Sequence, residues 1–195
     1  PELAFRIAVN HGLVEGSSFS DLEWLAGYLA LRKLGNPTLA LSHFNRFTDV
    51  VDTPISLGRA GYWKGEAYAA LGAREEAQAA YAEGGKYQTS FYGLLAAEKA
   101  GLGPDNALKG AEYFPAWQQA DFADSELLKV AALAFAMGDR SLAERFVLQI
   151  AEGQDRKGLG QLGNMADDWG APHLGVMLGK AAASRGITIE GPYYA

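Results

Sequence analysis

No cysteine occurs anywhere in the 195 residues. That removes disulfides, thiol nucleophiles and thiolate metal sites together, and it suits an oxidising compartment as well as a reducing one. Positive charge is also scarce. The chain has 17 Lys and Arg against 23 Asp and Glu, a net charge of −6, with no basic block. A phosphate-backbone partner needs a basic face, so no nucleic-acid partner is expected. Long apolar runs are missing too. The longest candidate, Val130 to Gly138, falls far short of the ~20 residues that cross a bilayer, so no membrane span is expected. The three histidines, His11, His43 and His173, stand far apart and form no i,i+4 pair, so no metal site is expected. His173 follows Pro172 in a first helical turn and reads as a surface residue.

What remains is the composition of a globular protein, 49% hydrophobic and 21% charged, with enough chain for one core or two small ones. The start, Pro1-Glu2-Leu3-Ala4-Phe5, has no basic or apolar leader pattern. It reads as entry in mid-helix, so the chain is expected to be a piece of a larger protein.

Helical periodicity runs through most of the sequence. A short helix is expected over Leu3 to Asn10. A second should start at Ser20, where Ser20-Asp21-Leu22-Glu23 fits a capping box and Phe19 and Trp24 fit a hydrophobic staple, and should end before Gly35. Asn36-Pro37 and Thr53-Pro54 each supply an N-cap and a first helical proline. Further helices are expected to Leu71, over Glu75 to Ala82, and over Thr89 to Ala100 with Gly101 as the stop. Residues 102–124, interrupted by Pro104 and Pro115, read as an irregular junction between two helical halves. Beyond it come Ser125 to Met137, Leu142 to Ile150, Lys157 to Trp169 and Pro172 to Arg185. Residues 187–195 read as an extended tail leading towards a further C-terminal domain.

A degenerate repeat links these helices. Gly35, Gly72 and Gly138 each end one; Ala40, Ala77 and Ala143 follow five residues later, and Phe44, Tyr81 and Phe146 come three or four beyond. The pattern resembles the tetratricopeptide (TPR) consensus. A small residue lets antiparallel helices approach, and the aromatic fills the groove beside it. Gly58, Gly61, Gly65, Tyr68 and Gly72 also fall at spacings of three and four on one helix face. Interior glycines cost roughly 1 kcal/mol each against alanine, so that face is expected to lie against a neighbour's backbone. Gly175, Gly179 and Ala183 repeat the device. The expected fold is all-α: a right-handed superhelix of antiparallel, TPR-like hairpins spanning 1–195.

Chemistry is harder to find. Gly158-Leu159-Gly160-Gln161-Leu162-Gly163 has the spacing of a dinucleotide fingerprint, but that mechanism needs a strand directly before it. Helical sequence precedes it here, so no cofactor is expected and the glycines read as a loosened helix start. Glu75-Glu76 suits an early helical turn, and Asp167-Asp168 reads as solvated. No nucleophile elbow occurs, and no catalytic residue is assigned. The aromatics say more. In Tyr62-Trp63 and Phe91-Tyr92, adjacent helical residues point ~100° apart, the angle that 3.6 residues per turn sets. One member of each pair can therefore pack while the other is free to stack on a ligand. Tyr62, Trp63, Phe91 and Tyr92 are the candidate ligand-binding residues.

The runs Tyr62-Trp63-Lys64-Gly65-Glu66-Ala67, Ala70-Leu71-Gly72 and Phe91-Tyr92-Gly93-Leu94-Leu95-Ala96-Ala97-Glu98 resemble the helical superhelix of soluble lytic murein transglycosylases. Glu23-Trp24-Leu25-Ala26-Gly27 and Thr53-Pro54-Ile55-Ser56 are also similar to members of that family. The resemblance implies a periplasmic, non-catalytic scaffold, with peptidoglycan strands and a C-terminal catalytic domain as partners. In that family the C-terminal domain cleaves the MurNAc–GlcNAc bond with a glutamate acid/base, and its glutamate-serine and glycine-leucine-methionine-glutamine signatures are not in this sequence. The alternative is a TPR-like adaptor that binds a protein or peptide in its groove.

Overall fold

A computed structural model describes residues 1–108, 112–189 and 191. Every regular element among them is helical, so the chain is all-α. It divides into two compact units, Pro1–Pro104 and Asp105–Ala195. The boundary falls within the irregular stretch expected at 102–124. Of the expected tail, Glu190 and 192–195 lie outside the described residues.

The first unit contains α1 (Glu2–Val9), α2 (Ser17–Arg32), α3 (Pro37–Thr48), α4 (Pro54–Ala70), α5 (Arg74–Gly84) and α6 (Phe91–Ala100). Local chemistry sets most of these limits. Asn36 Oδ1 accepts from Leu39 N at 3.0 Å, and Ser90 Oγ accepts from Gly93 N at 3.1 Å. Thr53 caps α4 through Ser56 N, with Pro54 as the first helical residue. The start of α2 differs from expectation. It opens one turn earlier, at Ser17, after Gly16 with φ +87°, and Ser20 Oγ bonds back to Ser17 O. The early start puts Phe19 inside the helix, buried against His11 with ring centroids 5.5 Å apart. Burial of that ring outweighs the capping box, and Trp24 packs on Tyr28 and Trp63 instead of on Phe19.

The repeated turns obey one geometry. Gly35, Gly72 and Gly138 have φ of +62°, +76° and +84°, the left-handed region that a Cβ disfavours. After the last two, Ala73 N reaches Tyr68 O and Asp139 N reaches Ala134 O, closing the final turn. Ala40, Ala77 and Ala143 are buried, as are Phe44 and Tyr81, while Phe146 is partly buried.

Helix α4 is the centre of the first unit, in contact with α3, α5 and α6. A Cβ added at Gly58 would overlap Ser90 Oγ and come within 3.0 Å of Gly93 N on α6. One at Gly61 would run into the Gly84 backbone on α5, and one at Gly65 into the Tyr81 ring. The glycine face therefore lies against neighbouring backbone and one aromatic ring at Gly58, Gly61 and Gly65, as its spacing predicts, but Gly72, counted on the same face, lies beyond the end of α4 with open space around it. Gly27 on α2 gives Phe44 of α3 the same room that Gly65 gives Tyr81, so two hairpins share one glycine–aromatic contact.

The second unit contains short 3-10 turns at Asn106–Leu108 and Trp117–Gln119, then α7 (Glu126–Ala136), α8 (Arg140–Glu152), α9 (Arg156–Asp168) and α10 (Pro172–Ser184). Its core holds Val147, Leu159, Leu162, Met165, Leu178 and Ile189. The fingerprint-like glycines sit inside α9, not at a strand end, and Gly160 makes room for the Phe114 ring. Gln161 and Asn164 donate to Ala116 O and Phe114 O at 3.1 and 3.2 Å, which straps that segment onto α9. Asp168 is exposed, as expected, and also accepts from Trp117 Nε1 at 2.7 Å as part of the same strap.

Gly61→Ala should destabilise the chain by about 1–3 kcal/mol in urea unfolding, because a methyl there meets backbone that cannot rotate away. Gly65→Leu should also unfold it more easily, through Tyr81. Gly153→Ala, whose Cβ would meet only Ile150 O at 4.0 Å, should stay within about 0.5 kcal/mol. Equal, small effects at all three positions would show that the α4 face is not tightly packed.

Candidate functional site

The structure brings all four sequence-predicted residues together. Tyr62 and Trp63 on α4 and Phe91 and Tyr92 on α6 form one chain of rings, with centroids 5.4 Å apart for Tyr62–Trp63, 5.4 Å for Tyr62–Tyr92 and 5.2 Å for Phe91–Tyr92. They do not contribute equally. Trp63 is 6% exposed and belongs to the core with Phe44, Ala30 and Ala40. Tyr62 and Tyr92 are half-buried, and Phe91 is 70% exposed. So Trp63 is a structural pillar. The surface able to stack on a flat ligand is Tyr62, Tyr92 and Phe91.

A polar frame surrounds the rings. Glu66, one turn after Tyr62, pairs with Arg32 of α2 and with Lys99 of α6 at 3.4 Å. It also accepts from Tyr81 Oη at 2.7 Å. Burial disfavours the Glu66 carboxylate, but the Tyr81 bond and the two cations outweigh it and hold the carboxyl below its ordinary value. Burial, and then the bond to Glu66, push the Tyr81 hydroxyl up. Burial, and then the charge of Glu66, do the same to Tyr62. Both phenols therefore stay protonated as hydrogen-bond donors. Arg32 lies 5.3 Å above the Trp63 ring and Arg59 lies 5.0 Å above Trp24, so cations flank the aromatic face. Glu66 stays ionised at neutral pH. A glycosidic acid must carry a proton for its leaving group, and Glu66 is tuned the other way.

Sequence reasoning missed a second constellation. His11 and His43, distant in the chain, converge on the buried Glu23. Nδ1 of His43 lies 2.7 Å from Glu23 Oε2, Arg46 Nε lies 3.0 Å from the same oxygen, and Nε2 of His11 lies 3.3 Å from Oε1. Leu13 N donates to His11 Nδ1 at 2.9 Å, so the His11 proton sits on Nε2 and faces Glu23. Nδ1 of His43 is 2.7 Å from both Glu23 and Arg46 Nη2. The Arg46 N–H can only donate, so Nδ1 either accepts from Arg46 or donates to Glu23; a bare Nδ1 would set its lone pair against the carboxylate oxygen, so Nδ1–H donates to Glu23. With Arg46 already bonded to the carboxylate, a metal cation would meet a fixed positive charge. Among the described residues no His, Asp or Glu group could hold a metal ion. The Ser20-to-Glu23 signature drew attention to Glu23 as a capping residue; its true partners are 12, 20 and 23 residues away. His173 is exposed on the surface, as expected.

No family model, no curated protein and no solved structure matches the chain.

The Glu23 cluster is expected to make the first unit acid-sensitive. Burial lowers His43 below the ordinary 6.5, more than Glu23 raises it. Burial opposes ionisation of Glu23, but its bonds from His43, Arg46 and His11 hold it below the ordinary 4.5. Both groups bind protons more readily in the unfolded chain. The stability that His43 contributes is complete above pH 6.5 and erodes as pH falls from there; that of Glu23 is complete above 4.5 and is lost as pH falls through its folded value. Thermal melting should therefore drop steadily from pH 7 to pH 4. Glu23→Gln should lower stability at pH 7 by about 1–3 kcal/mol and flatten the profile. A variant as acid-sensitive as the parent would exclude this cluster as the source.

Proposed function

We propose that this chain is the non-catalytic helical scaffold of a periplasmic peptidoglycan lytic transglycosylase. In this reading it positions murein strands for cleavage by a catalytic domain outside this sequence. The observation that carries it is the ring chain. The residues behind the family resemblance, Tyr62-Trp63-x-Gly65 and Phe91-Tyr92-Gly93, form one packed surface between α4 and α6, not two unrelated runs. Glycan strands present flat sugar faces and many hydroxyls. Tyr62, Tyr92 and Phe91 offer stacking faces, and Arg32, Lys99 and the Tyr62 hydroxyl offer donors beside them. An ionised Glu66 suits an acceptor for sugar hydroxyls and not a proton donor. Successive antiparallel hairpins, α2 with α3 and α4 with α5, also support a right-handed, TPR-like superhelix.

One feature favours the adaptor reading. The outer face of α7 leaves Val130, Leu133 and Met137 exposed at spacings of three and four, with Leu133 62% accessible. Such a row suits a partner helix.

Co-sedimentation with purified peptidoglycan separates the two readings. The scaffold reading expects the chain in the pellet, with Phe91→Ala, at a ring 70% exposed, reducing retention about threefold or more at unchanged melting temperature, since a stacked ring contributes about 0.5–1.5 kcal/mol. If the chain neither pellets with peptidoglycan nor binds a lytic catalytic domain, the reading fails.

A further inference from the structure

The second unit has a cavity of about 230 Å³ at the corner where the α7–α8 and α9–α10 turns meet. Its body is apolar, made by Phe135, Ala143, Ala171, Pro172 and Leu174. His173 lines it too, together with two charged residues, Arg140 and Glu144. They stand one turn apart on the same face of α8, the spacing at which opposite charges ordinarily pair. Here they do not. The Arg140 guanidinium lies 3.6 Å above the Phe135 ring, and Glu144 turns to His173, whose Nε2 is 3.2 Å from Oε2. Among the described residues no carboxylate is paired with Arg140.

We infer that this cavity binds a free α-amino acid with an apolar side chain. Arg140 receives the α-carboxylate with its planar fork of donors. Glu144 receives the α-ammonium, and the side chain fills the apolar body. The size agrees. At about 30 Å³ per water the cavity holds roughly seven or eight waters, and it is smaller than the ~300 Å³ at which sites for drug-sized ligands begin. Leucine or phenylalanine fits that range. The C-terminal residue of a peptide would use Arg140 and the apolar body but would bring an amide where Glu144 calls for a cation. A fatty or purely aromatic ligand would leave Arg140 without a carboxylate. This inference concerns the second unit alone and does not depend on the scaffold reading.

Isothermal titration of the full chain at neutral pH tests it, using both enantiomers of leucine and phenylalanine. Saturable one-to-one binding of at least one of them is expected. N-acetyl-leucine and leucinamide, which each remove one charge, should bind at least tenfold more weakly. Arg140→Gln should weaken binding about tenfold while abolishing the difference between leucine and leucinamide, and Glu144→Gln should do the same for leucine and N-acetyl-leucine. Absence of saturable binding by any of the amino acids overturns the proposal. Equal affinity for N-acetyl-leucine overturns it as well, and points to a peptide C-terminus instead.

Discussion

The first unit depends on one helix face that carries no side chains. Gly58, Gly61 and Gly65 of α4 meet Ser90 and Gly93 of α6, Gly84 of α5 and the Tyr81 ring. Three interior glycines weaken a helix by roughly 3 kcal/mol relative to alanine, and close packing against two neighbours compensates. The approach of α6 through this face also brings Tyr92 beside Tyr62. The aromatic surface is thus a consequence of the glycine contacts: α6 can present its rings to α4 only because a Cβ is missing beneath it.

Two buried or half-buried glutamates tie the hairpins together by charge. Glu66 joins α4 to α2, α5 and α6 through Arg32, Tyr81 and Lys99. Glu23 joins α2 to α3 and to the loop after α1. In each case several hydrogen bonds offset the desolvation that would otherwise expel the charge. These are positioning groups. Their work is to fix helix register.

Much of the helical layout was legible in the sequence because its signals are local. Asn36-Pro37, Thr53-Pro54 and Gly101 each act within four residues of their own position, and the glycine spacing on α4 needs only the helical period. The expected starts at Leu142 and Lys157 are late by two residues and by one, because the side chains of Asp139 and Asp155 cap α8 and α9 just upstream. Contacts distant in sequence were not legible. Nothing near His11 announces Glu23, and Trp117 and Asp168 are 51 residues apart. The start of α2 failed for a related reason: a local capping box lost to the burial of Phe19 under a ring eight residues upstream. For the candidate site, the adjacency of Tyr62 with Trp63 indicated that the two rings would diverge, but which one entered the core was decided by Phe44, Ala30 and Ala40 from other helices.

Native-state hydrogen exchange of the backbone amides tests most directly whether α4 organises its unit. If the glycine face holds the first unit together, amides of α4 from Gly58 to Ala67 exchange only through unfolding of the whole unit, and more slowly than those of α1 by several kcal/mol of opening free energy. Exchange of α4 through local opening, at rates matching α1, would contradict the account.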